Sequence, residues 1–202
     1  MTFGIIGGYL SVSSYVFLDP ILSDFMDAEY GIKEEVVGLI FLGQGAGYLL
    51  FCLTYPYFIE YMPRRLVIHT MGIISAVAIL LYGPSYLLGL RASLHVTVTG
   101  LVMGGFFNGG YQVPLTSEVI KNGEDFVGFN NKQFNDLFSG LENTALALGE
   151  VIGPLIGNFL FRRYGFRTTC DVMAAVNLLF FVTYYVFCDL LFTKPSNQLK
   201  KE

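Results

Sequence analysis

The sequence predicts an all-α membrane protein with six transmembrane helices, and three observations lead to this fold class. Of the 202 residues, 53% are hydrophobic and only 14% are charged, whereas roughly 25% of the residues in an average soluble domain are charged. The mean hydropathy is +0.56. A bilayer-crossing helix needs about 20 residues, so six of them account for most of the chain and leave no room for a soluble domain.

The first three apolar segments cover residues 2–22, 36–59 and 66–90. Charged loops separate them: an acidic loop follows the first, a basic loop with Arg64 and Arg65 follows the second, and a link with Arg91 follows the third. No basic residues precede the first segment, so we expect it to act as an insertion signal that is not cleaved.

The last three apolar segments cover residues 96–120, 137–161 and 168–192. Pro114 and five glycines lie in the fourth, the polar loop Lys121–Asp136 precedes the fifth, and the basic turn Arg162–Arg167 precedes the sixth. We therefore expect residues 1–202 to form one six-helix domain, with a polar cytoplasmic tail over residues 193–202.

The distribution of loop charge favours cytoplasmic N- and C-termini. In that orientation seven of the twelve Lys and Arg residues lie on the cytoplasmic side, where basic residues accumulate. The net charge is only −4, and the basic residues are too scattered for a nucleic-acid surface. We expect an integral protein of a vesicle, vacuole or plasma membrane.

The Cys and His residues indicate neither a metal or cofactor site nor an enzyme. The three cysteines, Cys52, Cys170 and Cys188, lie in or beside apolar segments without C-x-x-C spacing. His69 and His95 fall near segment ends, and no G-x-S-x-G motif occurs. A nucleophile and a base are therefore not expected together at membrane depth.

Glycines spaced four residues apart predict close helix packing in the membrane, because small residues let two helix backbones approach each other. The pairs are Gly4/Gly8, Gly43/Gly47, Gly100/Gly104, Gly105/Gly109, Gly149/Gly153 and Gly153/Gly157. We expect most of them to be packing contacts.

Glu150 is the clearest candidate for a functional group at membrane depth, where an ionisable side chain is costly and is functional by default. Asn143 lies seven residues before it and Gly157 seven residues after it, so the three share one helical face. Glu150 is expected either to bind a proton or a cationic group, or to be a protonated carboxyl that bonds within the bundle.

Asn108 and Gln112 lie four residues apart on the fourth segment, among glycines that loosen the helix. Freed backbone groups are tolerated where they line a cavity, so these two amides are expected to bind a solute or to hold helices together. Asp19 belongs to a polar cluster near the far end of the first segment, where the membrane interface lowers its cost.

Several stretches, in this order and spacing, resemble the C-terminal half of a major facilitator superfamily transporter. The loop with Glu60, Arg64 and Arg65 is similar to the family's G-x-L-x-D-R-x-G-R-R motif, with Glu60 in place of the Asp. The stretch Tyr30–Leu42 resembles the entry into the family's eighth helix, and Tyr164–Arg167 resembles the entry into its twelfth.

The fifth segment resembles the family's G-x-x-x-G-P-x-x-G antiporter motif through Gly149, Gly153, Pro154 and Gly157. This motif and Phe17–Pro20 are similar to drug–proton antiporters and to the vesicular amine transporter group, including its polyamine branch. Amine transporters carry an Asp where this chain has Asn143, so a monoamine or acetylcholine is not the expected solute. Glu150 is expected to supply that negative charge.

The resemblance implies half of a major facilitator fold, a 3+3 inverted repeat, that moves a small, cationic organic solute against protons by alternating access. It implies that Glu60, Arg64 and Arg65 form a cytoplasmic gate. The expected partners are the solute, protons, lipid, and either an N-terminal six-helix half or a second copy. The alternatives are a truncated half-transporter and a non-transporting membrane subunit.

Overall fold

The computed structural model describes residues 2–86, 88–127 and 132–187, and over these residues it consists of helices joined by short connections. Seven helices are formed in this part of the chain. They are α1 (Thr2–Val16), α2 (Leu22–Tyr30), α3 (Glu34–Tyr61), α4 (Arg64–Tyr82), α5 (Leu94–Val127), α6 (Lys132–Tyr164) and α7 (Phe166–Tyr185). The predicted tail over residues 193–202 lies outside the described residues.

The prediction of one continuous helix over residues 2–22 is wrong, because the helix stops at Val16 and a new one begins at Leu22. Pro20 has no N–H to continue the helical ladder, and it disfavours helical backbone at the residue before it. Asp19 N instead donates to the Val16 carbonyl at 3.1 Å, which tightens the chain into a turn.

Three further boundaries differ from the prediction. Helix α4 ends at Tyr82 instead of residue 90, because Gly83 and Pro84 follow it and Pro cannot continue a helix. Helix α5 continues to Val127 and α6 already begins at Lys132, so much of the predicted polar loop is helical. Lys, Glu and Gln are good helix formers, and a helix need not end where the apolar residues end.

Four of the described helices are long and apolar enough to cross a membrane: α3, α4, α6 from Asp136 onwards, and α7. Helix α1 has only 15 residues. Helix α5 has 34 residues but falls short in composition, since Gly, Asn and Gln dilute its apolar residues. The structure therefore supports an all-α membrane protein, while six crossings remain a prediction.

Helix α5 lies at the centre of the bundle and packs against α1, α3 and α4, while α6 packs on α1, and α7 packs on α4. A layer of glycines forms the α1–α6 contact. A Cβ atom added to Gly149 would lie 2.7 Å from the Tyr9 carbonyl oxygen, and one added to Gly157 would lie 2.4 Å from that of Phe17. The antiporter-like motif is thus a packing surface.

A second glycine contact joins α3 to α5. A Cβ atom on Gly47 would lie 2.3 Å from the Val102 carbonyl oxygen, and one on Gly105 would lie 1.9 Å from that of Gln44. At both positions the obstacle is backbone, which cannot move aside. These two close contacts hold α3 directly against α5.

Arg167, in the first turn of α7, holds the connection between α4 and α5. Its Nε donates to the Pro84 carbonyl at 2.6 Å and its Nη2 donates to the Leu90 carbonyl at 2.5 Å. The guanidinium also lies 4.0 Å from the ring centre of Tyr86. The start of α7 and the α4–α5 connection therefore lie at the same end of the bundle.

Candidate functional site

A cavity of about 280 Å³ lies between four helices of the bundle. Its volume is near the lower end of the range for small-molecule sites, roughly 300–1,000 Å³. The lining residues are Val12, Tyr15 and Val16 of α1, Gly45 and Tyr48 of α3, Asn108 and Gln112 of α5, and Glu150 of α6.

Glu150 reaches the cavity because of the neighbouring glycines on α6. Gly149 and Gly153 pack directly on the backbone of α1, so α1 and α6 lie close together and the Glu150 side chain lies beside their contact. Glu150 is exposed, and it lines the cavity. A carboxylate placed there can hold a proton or an organic cation.

The two amides of α5 lie one helical turn apart on the same wall of the cavity. Asn108 is 7% exposed, and its Oδ1 accepts a hydrogen bond from the Ser11 hydroxyl at 3.0 Å. Gln112 is half-buried. Asn108 therefore joins two helices, which is one of the two roles that the sequence left open, and it also faces the cavity.

Two tyrosines also line the cavity. Sequence reasoning placed Tyr15 in the polar cluster of the first segment, together with Asp19, and it missed Tyr48. Tyrosines of membrane proteins concentrate near helix ends, where they form an interfacial belt. Tyr48 lies in the middle of α3, and that unusual depth is the signal that would have marked it. The two rings add aromatic faces, which attract cations, to the carboxylate and amides.

Two predicted site residues do not line the cavity. Asp19 is exposed in the turn that follows α1, and Asn143 is exposed on α6 two turns before Glu150. Asn143 shares a helical face with Glu150 but is not among the residues that line the cavity.

Within the predicted gate motif, Arg65 forms an ion pair with a neighbouring helix. Arg65 Nε lies 2.8 Å from Glu118 Oε1 of α5, while Glu60 is exposed at the end of α3. The Glu118 side chain is only 11% exposed and that of Arg65 is 42% exposed. Glu118 was missed, although an acidic residue near the end of a segment opposite a basic loop is a charge-pattern signal.

A second contact lies near that ion pair. The Thr116 hydroxyl of α5 donates to a carboxylate oxygen of Glu142 on α6. Thr116 is one turn beyond Gln112, and Glu142 is two turns before Glu150. The C-terminal half of α5 is therefore tied to α4 through Glu118 and to α6 through Thr116.

Comparison with known proteins identifies the relatives of this chain. It is 30% identical over 186 residues to the mouse and rat proteins named "MFS-type transporter SLC18B1", and 28% identical over 157 residues to the human protein of that name. The chain is related to the major facilitator transporters of the SLC18 group. This confirms the family that its motifs predicted.

The similarity to these MFS-type transporters covers 88% of this chain for the mouse and rat proteins and 77% for the human protein. The chain spans only part of the length of these relatives: 39% of the mouse protein, 40% of the rat protein and 34% of the human protein. No protein-family profile matches the chain, and no solved structure matches it.

Proposed function

We propose that this chain forms the solute-binding half of a secondary transporter that exchanges a small organic cation for protons. The observation that carries the proposal is the cavity, in which one carboxylate, two tyrosine rings and two amides meet from four helices. The relatives are named as transporters, which supports membrane transport as the activity.

The composition of the cavity suits an ammonium group. Glu150 supplies a negative charge, and the faces of Tyr15 and Tyr48 attract a cation by its charge. Asn108 and Gln112 add hydrogen-bonding groups that orient the solute. A neutral or anionic solute would leave Glu150 as an uncompensated charge in an apolar bundle.

Proton coupling follows if the solute and a proton compete for Glu150. A protonated Glu150 has no charge with which to hold a cation, so proton binding releases the solute. Each ligand then favours the conformation in which it is bound more tightly, which is sufficient to drive exchange between two facings.

Alternating access needs a second wall and a gate. We propose that an N-terminal six-helix half, in the same chain or a separate one, or a second copy of this chain, closes the open side of the cavity. The Arg65–Glu118 ion pair, with Glu60 and Arg64 beside it, forms the cytoplasmic gate. Breaking this pair opens that end of the bundle.

A non-transporting subunit is the second candidate, because the Ser11–Asn108 bond gives one cavity amide a purely structural contact. In such a subunit position 150 would be covered by protein. A cysteine at that position would then not react with a water-soluble reagent in any state, whereas a transport cavity requires that it does.

Uptake into proteoliposomes tests the proposal, with an outwardly directed proton gradient and radiolabelled tetraethylammonium, which is permanently charged and does not cross lipid. We expect Glu150→Gln to abolish gradient-driven uptake without loss of folded protein. Glu29→Gln is the matched control, because Glu29 is exposed on α2 away from the cavity. Normal uptake by Glu150→Gln would remove this residue from the mechanism.

A further inference from the structure

The bundle itself holds the amide of Asn108, and this decides which of its polar atoms a solute meets. Asn108 Oδ1 accepts the hydrogen bond from Ser11 at 3.0 Å, and Ser11 is fully buried. Asn108 nevertheless lines the cavity. Because the oxygen is engaged with α1, the Nδ2 group, which carries two donors, is the part of the amide that remains for the cavity.

Other buried polar side chains lie close to Ser11. The hydroxyl of Tyr111 on α5 lies beside Ser11 and Asn177, and both Tyr111 and Asn177 are 1% exposed. Asn177 Nδ2 of α7 donates to the Ser14 hydroxyl at 3.0 Å. Ser11 bonds the Asn108 amide and Ser14 bonds the Asn177 amide, so the orientation of Asn108 depends on Ser11 and not on Ser14.

We propose that Asn108 is a specificity-determining residue that presents an N–H donor to the solute. The preferred solutes are then organic cations that also carry a neutral hydrogen-bond acceptor, such as an ether, hydroxyl or carbonyl oxygen. This inference rests on the proposed function, because it takes the cationic group to lie at Glu150. Glu150 and Asn108 reach the same cavity from different helices, so one solute contacts both.

Two amines of equal length test the preference directly. Methoxypropylamine and pentylamine differ only in an ether oxygen in place of a methylene group. Their affinities are measured by calorimetry on the purified chain in lipid nanodiscs. We expect the parent protein to bind the ether amine about fivefold more tightly, since a hydrogen bond between neutral groups changes affinity by roughly 2–12-fold.

Three variants test the residues on both sides of the bond. Asn108→Asp replaces the donor by an oxygen, and we expect the affinity ratio to fall to about one or below. Ser11→Ala frees the amide to turn, so the ratio is expected to fall below about two. Ser14→Ala is the matched control: it makes the same change on α1, but Ser14 bonds Asn177 and not Asn108, and the ratio stays at the parent value.

A parent protein that binds both amines equally would overturn the inference, as would a Ser11→Ala or Asn108→Asp variant with the parent ratio. Glu150→Gln separates this result from a failure of the proposed function. It is expected to weaken both amines by the same factor and to leave their ratio unchanged. If it weakens neither amine, or if the parent binds neither, the cation site is wrong and the acceptor preference falls with it.

Discussion

Arg65 and Glu118 meet across 53 residues of chain, and the value of this contact comes from the burial of Glu118. The Glu118 side chain is 11% exposed, so it depends on the guanidinium for compensation of its charge. Arg65 is 42% exposed, and water therefore screens part of the attraction. The pair is suited to a contact that must break and form again.

A charge swap tests this pair. Arg65→Glu or Glu118→Arg alone places two like charges together, and we expect either to cost about 1–2 kcal/mol of stability, or roughly 2–8 °C of melting temperature. The double variant restores an ion pair and should recover most of the loss. Thermal melting in detergent and uptake rates measure both effects.

The control for the swap is Arg163→Gln, which removes an exposed basic residue at the end of α6. It should leave the melting temperature within about 1 °C of the parent, because surface substitutions usually change stability little. A double variant no more stable than the two single ones would show that Arg65 and Glu118 do not interact.

Spacing along a helix predicted part of the site at the residue scale. Glu150, Asn108 and Gln112 were selected because they are polar at membrane depth, and they lie in one cavity. Asn143 was selected on its helical face, but a helical face does not say which helix lies opposite. Tyr48 was missed for the same reason, since the role of an aromatic residue in an apolar helix depends on which residues of other helices lie around it.

At the scale of the element, glycines decide which helices touch. Helix α6 has three glycines on α1, and those of α5 face α3 and α4. The spacing of these glycines predicted close packing, but it does not identify the helix on which they pack. Each glycine layer has the same pattern, and only the assembled bundle distinguishes them.

Gly157→Ala tests the α1–α6 contact. The added methyl group would lie 2.4 Å from the Phe17 carbonyl oxygen, so the two helices must separate. Overpacking of this kind costs about 1–3 kcal/mol, which corresponds to a melting temperature lower by roughly 2–12 °C. Because Glu150 depends on the same contact, amine affinity should also fall.

Gly140→Ala is the matched control on the same helix, since a Cβ atom at Gly140 meets nothing within 4 Å. Ala is the better helix former, so the melting temperature should stay equal or rise. Equal melting temperatures for Gly157→Ala and Gly140→Ala would mean that α1 and α6 do not pack as described.

At the scale of the whole molecule, the contacts sort the connections into two ends of the bundle. Arg65–Glu118 and Thr116–Glu142 join α4, α5 and α6 at one end. Arg167 joins the start of α7 to the α4–α5 connection at the other. Consecutive connections at opposite ends of the bundle are what a multi-pass chain of antiparallel helices requires.

The orientation of the chain in its membrane is testable with a split fluorescent protein. A short tag inserted after Met62 should fluoresce with the complementary fragment in the cytoplasm, because the basic loop is expected to lie there. The same tag inserted after Ala92 should not fluoresce. The reverse pattern would invert the proposed topology, and fluorescence at both sites would mean that α4 does not cross the membrane.

The sequence by itself determined the class and the family of this protein. An excess of apolar residues excludes a soluble fold whatever the arrangement of the helices. The family motifs can be recognised in the sequence because each is a short, continuous stretch of residues. Both properties depend on composition or on residues close together in the chain, so no tertiary information is needed to find them.

Only the tertiary structure decided which residues act together. Glu150 lies about 100 residues from Tyr48 in the chain, yet the two line one cavity, and Arg65 pairs with Glu118 instead of with nearby Glu60. Such partners are set by backbone contacts at glycines and by the turn at Pro20, which fix the rotation of each helix. A rotation of that kind follows from the packing of all the helices at once.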